Sequence, residues 1–165
     1  SPAEKGKRRE KRLQAPFPSL FFVSRRFFAR QEIFSPARQA GQIPKNSTVF
    51  LHENDTVRQG LERFRAHGYT AIPVLNEEEQ YVGSVTEGDF LRHILAVRNT
   101  DLKIQERYRI GDIMCKECYL ALSIDADEKQ VIAVALNQNY VPIVDGRGAL
   151  CGIITRQSLL FNEKT

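Results

Sequence analysis

From Ile43 onward the chain is a series of short apolar runs separated by polar turns, and the series is played twice. In the first round, Thr48-Val49-Phe50-Leu51 reads as a strand and Asp55-Thr56 as a helix cap. Val57, Leu61 and Phe64 recur at helical spacing and give that helix one apolar face. It ends at His67-Gly68, where glycine takes the left-handed stop without strain. Ala71 to Leu75 is a continuous apolar run, a short buried strand, and Pro73, which has no amide to donate, places it at a sheet edge or strand end. After the polar turn 76–80, Tyr81 to Val85 predicts another strand. Thr86 then opens a helix carrying Phe90, Leu91, Ile94 and Leu95, which completes a β-α-β-β-α unit.

The charged stretch Asn99 to Arg109 is a connector, and the pattern then restarts. Ile110 to Met114 is a lead-in, Tyr119 to Ser123 a strand, and Asp125 or Asp127 the cap of a helix bearing Val131, Ile132, Val134 and Ala135. The strand Val141 to Val144, the turn Asp145 to Gly148, the strand Leu150 to Ile154 and a helix from Thr155 follow. Two landmarks keep the same offset of 69 residues: Gly83 and Thr86 recur as Gly152 and Thr155, and Pro73 recurs as Pro142. The helix before each proline strand slips by one residue. The chain divides into a tail (1–41), a first repeat (42–99), a linker (100–109) and a second repeat (110–165).

Charge sharpens this division. The net +4 of the 165 residues is uneven: residues 1–41 hold ten Lys or Arg against three Glu, whereas 42–165 hold fourteen against seventeen acids. The basicity belongs to the tail, so nucleic-acid binding by the body is not supported. In the tail, Phe17, Phe21, Phe22, Phe27 and Phe28 lie among Arg25, Arg26 and Arg30, a mixture that can touch RNA or an anionic membrane surface, although a tail outside the domain is the simpler expectation. Glu4, Glu10 and Glu32 count against an Arg-rich transit peptide. No apolar run approaches the ~20 residues that span a bilayer. Three cysteines, Cys115, Cys118 and Cys151, do not make a secreted disulfide framework, and a cytoplasmic, reducing setting is the default.

The chemistry centres on the repeated Gly-x-h-Thr-x-x-polar pattern. A threonine at that place caps a helix, and a polar side chain three residues on reaches back to complete a capping box. A single copy would support no more than a cap. Two copies, each after a strand with a fixed proline, allow more: hydroxyl and carboxylate can grip a ribose diol, while first-turn amides and a nearby arginine hold phosphate.

These residues resemble a known family. Gly68 to Val74, Gly83 to Asp89, Ile110 to Met114, Asn139 to Asp145 and Gly152 to Arg156 together are similar to a tandem pair of CBS domains, the Bateman module, over about three quarters of the chain. The likeness is greatest to short stand-alone bacterial CBS proteins, including a type that binds cyclic di-AMP. It implies an α/β (α+β) fold of two β-α-β-β-α repeats about a pseudo-twofold axis, with adenine nucleotides in the clefts between them and modules paired as homodimers. The nucleotide is then a regulatory ligand and not a cofactor, no metal is implied, and the output passes to a separate effector protein. The expected contacts are Thr48, Tyr69, Thr70, Ile72, Thr86, Asp89, Asn139, Tyr140, Val141, Thr155, Arg156 and Ser158. Ser158 stands where the family often has Asp, and Glu87 beside Thr86 is opposed by Arg156 beside Thr155. Two unequal sites are therefore expected, the first suited to a nucleoside end and the second, through Arg156, to a phosphate.

Other constellations are weaker. Cys115-Lys116-Glu117-Cys118 has the spacing of a zinc half-site or a redox pair, but structural zinc takes four ligands and no second such motif exists. His52, His67 and His93 are scattered, and no nucleophile–base pair or P-loop appears, so catalysis is not expected. Two other readings stand beside the regulatory one: a nucleic-acid-associated regulator using the basic tail, or a structural dimer with vestigial clefts. Dimerisation is expected through the apolar helix faces Val57/Leu61/Phe64 and Val131/Val134/Ala135.

Overall fold

The computed structural model describes residues 41–162, and the basic tail expected over 1–41 lies outside them apart from Gly41. A two-residue strand β1 (Ile43–Pro44) and a 3-10 turn (Lys45–Ser47) lead into the first repeat. That repeat runs β2 (Leu51–His52), α1 (Val57–His67), β3 (Ala71–Leu75), β4 (Tyr81–Thr86) and α2 (Glu87–Val97). Two helical turns, α3 (Leu102–Gln105) and α4 (Ile110–Ile113), connect it to β5 (Leu122–Ser123), α5 (Glu128–Ala135), β6 (Tyr140–Val144), β7 (Leu150–Thr155) and α6 (Arg156–Asn162).

The helix signals act as their chemistry demands. Thr56, Thr86 and Asp127 each accept from the amide three residues on, and Gln59, Asp89 and Gln130 reach back to complete three capping boxes. Asp127, not Asp125, caps α5. Gly68 closes α1 at φ 63°. The first strand of each repeat is shorter than expected: Leu51–His52 and Leu122–Ser123 alone find parallel partners, at Val74–Leu75 and Ile143–Val144.

Two small sheets result, one in the order β2-β3-β4 and the other β1-β7-β6-β5. Pro73 and Pro142 sit inside β3 and β6, both flanked by strands, so the edge placement expected for Pro73 is corrected. The reason is local. Pro73 stands opposite Ser84, whose amide and carbonyl both bond Cys115 instead. The proline therefore needs no donor towards β4, and on its other side β2 pairs only from Val74 onward.

Each repeat has its own core. Leu51, Val57, Ile72, Val74, Val85, Phe90 and Ile110 form one, and Val131, Ala135, Val141, Ile143 and Ile154 the centre of the other. Leu61 and Phe64 pack on the first, Phe64 meeting Phe90 edge-on at 4.9 Å, and Val134 packs on the second. The helix faces expected to pair modules are thus spent inside. The leucines left outside are others: Leu91 and Leu95 of α2, with Leu102, Leu120, Leu136 and Leu160.

The repeats are joined by contacts between equivalent residues. Gln80 bridges Ala149, and around that bridge Tyr81 N–H donates to Gly148 O (3.0 Å) while Leu150 N–H donates to Glu79 O (3.1 Å). Glu79 (φ 63°) and Gly148 (φ 82°) take the same left-handed conformation 69 residues apart. At the other end Asn139 Nδ2 donates to Thr70 Oγ1 at 3.3 Å, again 69 residues away. Each repeat also lends its entry segment to the other's sheet, since Ile43 pairs with Ile153 of β7 and Cys115 with Ser84 of β4. Together these contacts define a pseudo-twofold axis.

The loan depends on glycine. A Cβ on Gly152 would lie 2.1 Å from Ile43 O, and one on Gly83 2.7 Å from Cys115 O. Gly152→Ala is expected to push β1 off β7 and cost about 1–3 kcal/mol in urea unfolding. An unchanged midpoint would show that β1 detaches without loss.

Candidate functional site

The two copies of the Thr-x-x-polar pattern open on two clefts beside the axis. The first is built around Asp89 at the start of α2. Its side chain is only 6% exposed, and it accepts three hydrogen bonds. Oδ2 accepts from Thr86 N–H and from the Thr86 hydroxyl, both at 2.8 Å, and Oδ1 accepts from Arg92 Nη2 at 2.5 Å. Arg92, 72% exposed, brings the counter-charge from the solvent side. A carboxylate has about four lone-pair positions, so one more donor can be taken before any bond is given up. Thr70 O accepts from Glu87 N–H at 3.2 Å, so that first-turn amide is committed to the fold.

The facing wall comes from the second repeat. Tyr119 stacks on Tyr140 with ring centroids 4.8 Å apart and planes at 19°, and its hydroxyl accepts from Asn139 Nδ2 at 3.1 Å. Behind it a file of hydroxyls crosses between the repeats. Tyr140 OH meets the buried Ser84 Oγ, Ser84 meets Tyr81 OH at 2.8 Å, and Tyr81 OH donates to Tyr119 O at 3.4 Å. One proton order, from Tyr140 through Ser84 and Tyr81 to the Tyr119 carbonyl, satisfies every member. Burial is the main cause that raises these phenols. Tyr81 is pushed up to about 12, Tyr140 goes well above its ordinary value, and Tyr119 rises by burial, opposed by its Asn139 hydrogen bond and aided by the Asp89 charge.

The second cleft is more apolar. Ile43, Thr48, Tyr69, Ala71, Pro73, Tyr140 and Ile153 are among the residues around about 320 Å³, counting the part open to solvent. Thr48 Oγ1 donates to Pro44 O (3.0 Å), and Tyr69 stacks on His67. Burial raises the Tyr69 phenol. Ile153 leads into Thr155, where Thr155 and Ser158 cap each other, Ser158 N–H to Thr155 Oγ1 (3.1 Å) and Thr155 N–H to Ser158 Oγ (3.0 Å).

The expected contact residues therefore divide. Thr86, Asp89, Asn139 and Tyr140 gather at the first cleft, Thr48, Tyr69, Thr155 and Ser158 lie at or beside the second, which Tyr140 also lines, and Thr70 sits on the axis between them. Ile72 and Val141 point into the two cores, so only their backbone can meet a ligand. Arg156 is held by the fold. Its Nε and Nη2 donate to Ala135 O (2.8 Å) and Leu136 O (3.0 Å), capping the C-terminus of α5, where a cation is favoured. Nε and Nη2 are committed to these carbonyls, which leaves the guanidinium fewer donors for the phosphate role expected of it. Tyr119, Ser84 and Tyr81 were missed by the sequence reading. A signal for Tyr119 existed: Leu51 and Leu122 face equivalent partners, and the same 71-residue step carries Thr48 onto Tyr119.

Cys115 and Cys118 are joined as a disulfide, so neither is placed as a zinc ligand, and among the described residues no group of three or more His, Cys, Asp or Glu could hold a metal. No helix among them is long and apolar enough to cross a membrane.

Two β-α-β-β-α repeats with clefts at their seam define a class, the paired-repeat module. The CBS-domain family model matches residues 40–96 and 110–163, and the chain belongs to that family. Among relatives, an inosine-5'-monophosphate dehydrogenase of Methanocaldococcus jannaschii is 23% identical over 128 residues, 77% of this chain but 24% of its own length. An uncharacterized protein of Methanopyrus kandleri is 22% identical over 74% of this chain and 61% of its own length. The chain thus spans less than two thirds of both. Among solved structures, a CBS domain protein of Streptococcus pneumoniae superposes with a TM-score of 0.69 at 21% identity, covering 77% of this chain and 86% of its own. CbpB of Listeria monocytogenes in complex with c-di-AMP gives 0.66 at 20%, over 74% and 91%. CBSX2 in complex with AMP gives 0.64 at 19%, over 80% and 97%.

The buried phenols set an alkaline limit. Their neutral forms are favoured by folding, so the stability they contribute is whole below the ordinary tyrosine value of 10.0 and is lost as pH rises towards the folded values. Tyrosinate absorbance should show Tyr81 ionising near 12 and Tyr140 not before unfolding, with the unfolding midpoint falling from pH ~10 upward. A midpoint flat across that range would mean the hydroxyl file is open to water.

Proposed function

We propose that this chain is a regulatory module that binds an adenine nucleotide, as AMP, ATP or cyclic di-AMP, at the seam of its repeats and passes the change to a separate protein. The observation that carries this reading is the Asp89–Thr86 pair. A buried carboxylate beside a hydroxyl, with acceptor capacity left, suits two vicinal hydroxyls of a ribose. The polar backbone at the start of β6, from Asn139 to Val141, and the Tyr119 ring are placed to take the base. Thr48, Tyr69, Thr70, the backbone of Ile72, Thr155 and Ser158 make up the second, weaker position. Family membership and the nucleotides named with two of the similar structures support the ligand class.

The module acts without catalysis in this reading, and the dehydrogenase activity of a relative matched over a quarter of its length is not carried over. The repeat boundaries at 42–99 and 110–165, with the linker between, belong to the same reading, as does placement in the cytosol. Two modules pair through exposed leucines on the outer helices, with Leu91 and Leu95 one turn apart on α2 and 58% and 66% exposed.

Calorimetry of the full chain with AMP and cyclic di-AMP tests the site. Asp89→Asn keeps the shape but removes the charge, and is expected to weaken the bound nucleotide about ten- to a hundredfold, the range of a charge-assisted hydrogen bond. Unaltered affinity in that variant, or no binding of either nucleotide by the unaltered chain, sinks the assignment. Sedimentation should show a species twice the 18.9 kDa protomer, returned to the protomer by Leu91→Lys with Leu95→Lys. A chain that sediments as the protomer at micromolar concentration would remove the dimer.

A further inference from the structure

We infer that Cys115 and Cys118 form a reversible thiol–disulfide switch, opened by a dithiol reductant, that sets the position of Tyr119 in the Asp89 cleft. The two cysteines are joined across a three-residue separation, with Cα atoms 5.6 Å apart. A loop that short restrains the unfolded chain little, so the bond adds little as a staple. Neither cysteine belongs to the two apolar clusters. Breaking the bond therefore leaves both cores intact.

The surroundings tie this bond to the cleft. Upstream, Cys115 is fixed to β4, its amide donating to Ser84 O at 2.9 Å and its carbonyl accepting from Ser84 N–H at 3.0 Å. Gly83 permits that approach. Downstream, Tyr119 directly follows Cys118 and is held by softer contacts, the Tyr140 stack, the Asn139 hydrogen bond and the long bond from Tyr81. Next to it, Leu120 is clamped by Gln138, N–H to Oε1 at 3.0 Å and Nε2 to O at 2.9 Å. The disulfide closes the bend between a fixed point on one repeat and the cleft wall on the other. With the bond open, Cys115 stays on β4 while Cys118 and Tyr119 gain freedom, and the stacked ring can leave Tyr140.

Access favours one order of attack. Cys118 is exposed and Cys115 is half-buried. A thiolate of the reductant attacks Cys118 Sγ, the protein S–S bond breaks, and its electron pair leaves on Cys115 Sγ, which takes a proton. The second thiolate of the reductant attacks the reductant's own sulfur in the mixed disulfide and frees Cys118 as thiolate, which takes the second proton. Two electrons and two protons pass to the protein, and the dithiol is left as a disulfide.

The affinity effect rests on the nucleotide reading, while the two readouts below that need no ligand do not. Thiols of the full chain are labelled with a maleimide polymer after native incubation in reduced or oxidised dithiothreitol. Reduction is expected to add two labelled thiols, and reoxidation to remove both without unfolding. A chain that gains none, or never re-forms the bond, overturns the switch. The chain has no Trp, so near-ultraviolet circular dichroism reports largely on its tyrosines. The tyrosine band should change on reduction, and Cys115→Ser with Cys118→Ser should hold the reduced spectrum and ignore dithiothreitol. An unchanged band in the unaltered chain after the two thiols have opened overturns the link to Tyr119, and this reading stands even if the double variant folds poorly. AMP affinity should differ roughly fivefold or more between the two forms, and equal affinity overturns control of the cleft. If AMP and cyclic di-AMP bind neither form while thiols and tyrosine band respond, the nucleotide reading falls and the switch is upheld.

Discussion

The close backbone approach at Gly83 and Gly152 is the constraint on which the rest depends. Each glycine lets a segment from the other repeat lie against a strand that would otherwise present an open edge, Cys115 beside β4 and Ile43 beside β7. Because Ser84 and Ile153 are turned towards these borrowed segments, their partners across the ladder need give no hydrogen bond. Those partners are Pro73 and Pro142. Glycine and proline are thus two halves of one device, and their shared 69-residue spacing records it. The same device brings Tyr119 of one repeat against the cleft that begins at Asp89 of the other.

What could be read from the sequence was what local chemistry decides. The caps at Thr56 and Thr86, the stop at Gly68 and the runs Ala71–Leu75 and Leu150–Ile154 depend on neighbours a few residues away, and they stand where expected. The errors came where a distant partner decides. Val57, Leu61 and Phe64 look like a free apolar stripe until Phe90 and Ile110 are brought against them. Arg156 looks like a solvent-facing cation at a helix start until the last carbonyls of α5, some 20 residues earlier, arrive within 3.0 Å. Pro73 looks like an edge marker because nothing nearby reveals that Ser84 has another partner.

The site was legible in the same uneven way. Thr86 and Asp89 announce themselves because a capping box and a hydroxyl–carboxylate grip use the same spacing. Tyr119, Ser84 and Tyr81 had no motif. Their relation is a file of hydroxyls that exists only when two sheets are docked, and single buried hydroxyls in a sequence do not reveal what they bond. Among the described residues, Ser84 is one of very few buried polar side chains, and the phenols on both sides of it satisfy it.

The axis relates backbones more faithfully than it relates side chains, and that difference is where function resides. Equivalent positions carry Asp89 and Ser158, Ser84 and Ile153, Ala71 and Tyr140, Thr48 and Tyr119. One cleft therefore gathers a carboxylate, three phenols and a buried serine, and the other the hydroxyls of Thr48, Thr155 and Ser158 and the Tyr69 phenol against alkyl groups. A buried carboxylate prefers a ligand that brings donors, because an unmet charge away from water is costly. A wall of alkyl groups asks only for a shape. Two clefts with one geometry and opposite polarity will not hold the same part of a ligand equally well. The duplication supplies the frame, and the substitutions within it decide which chemistry each cleft favours.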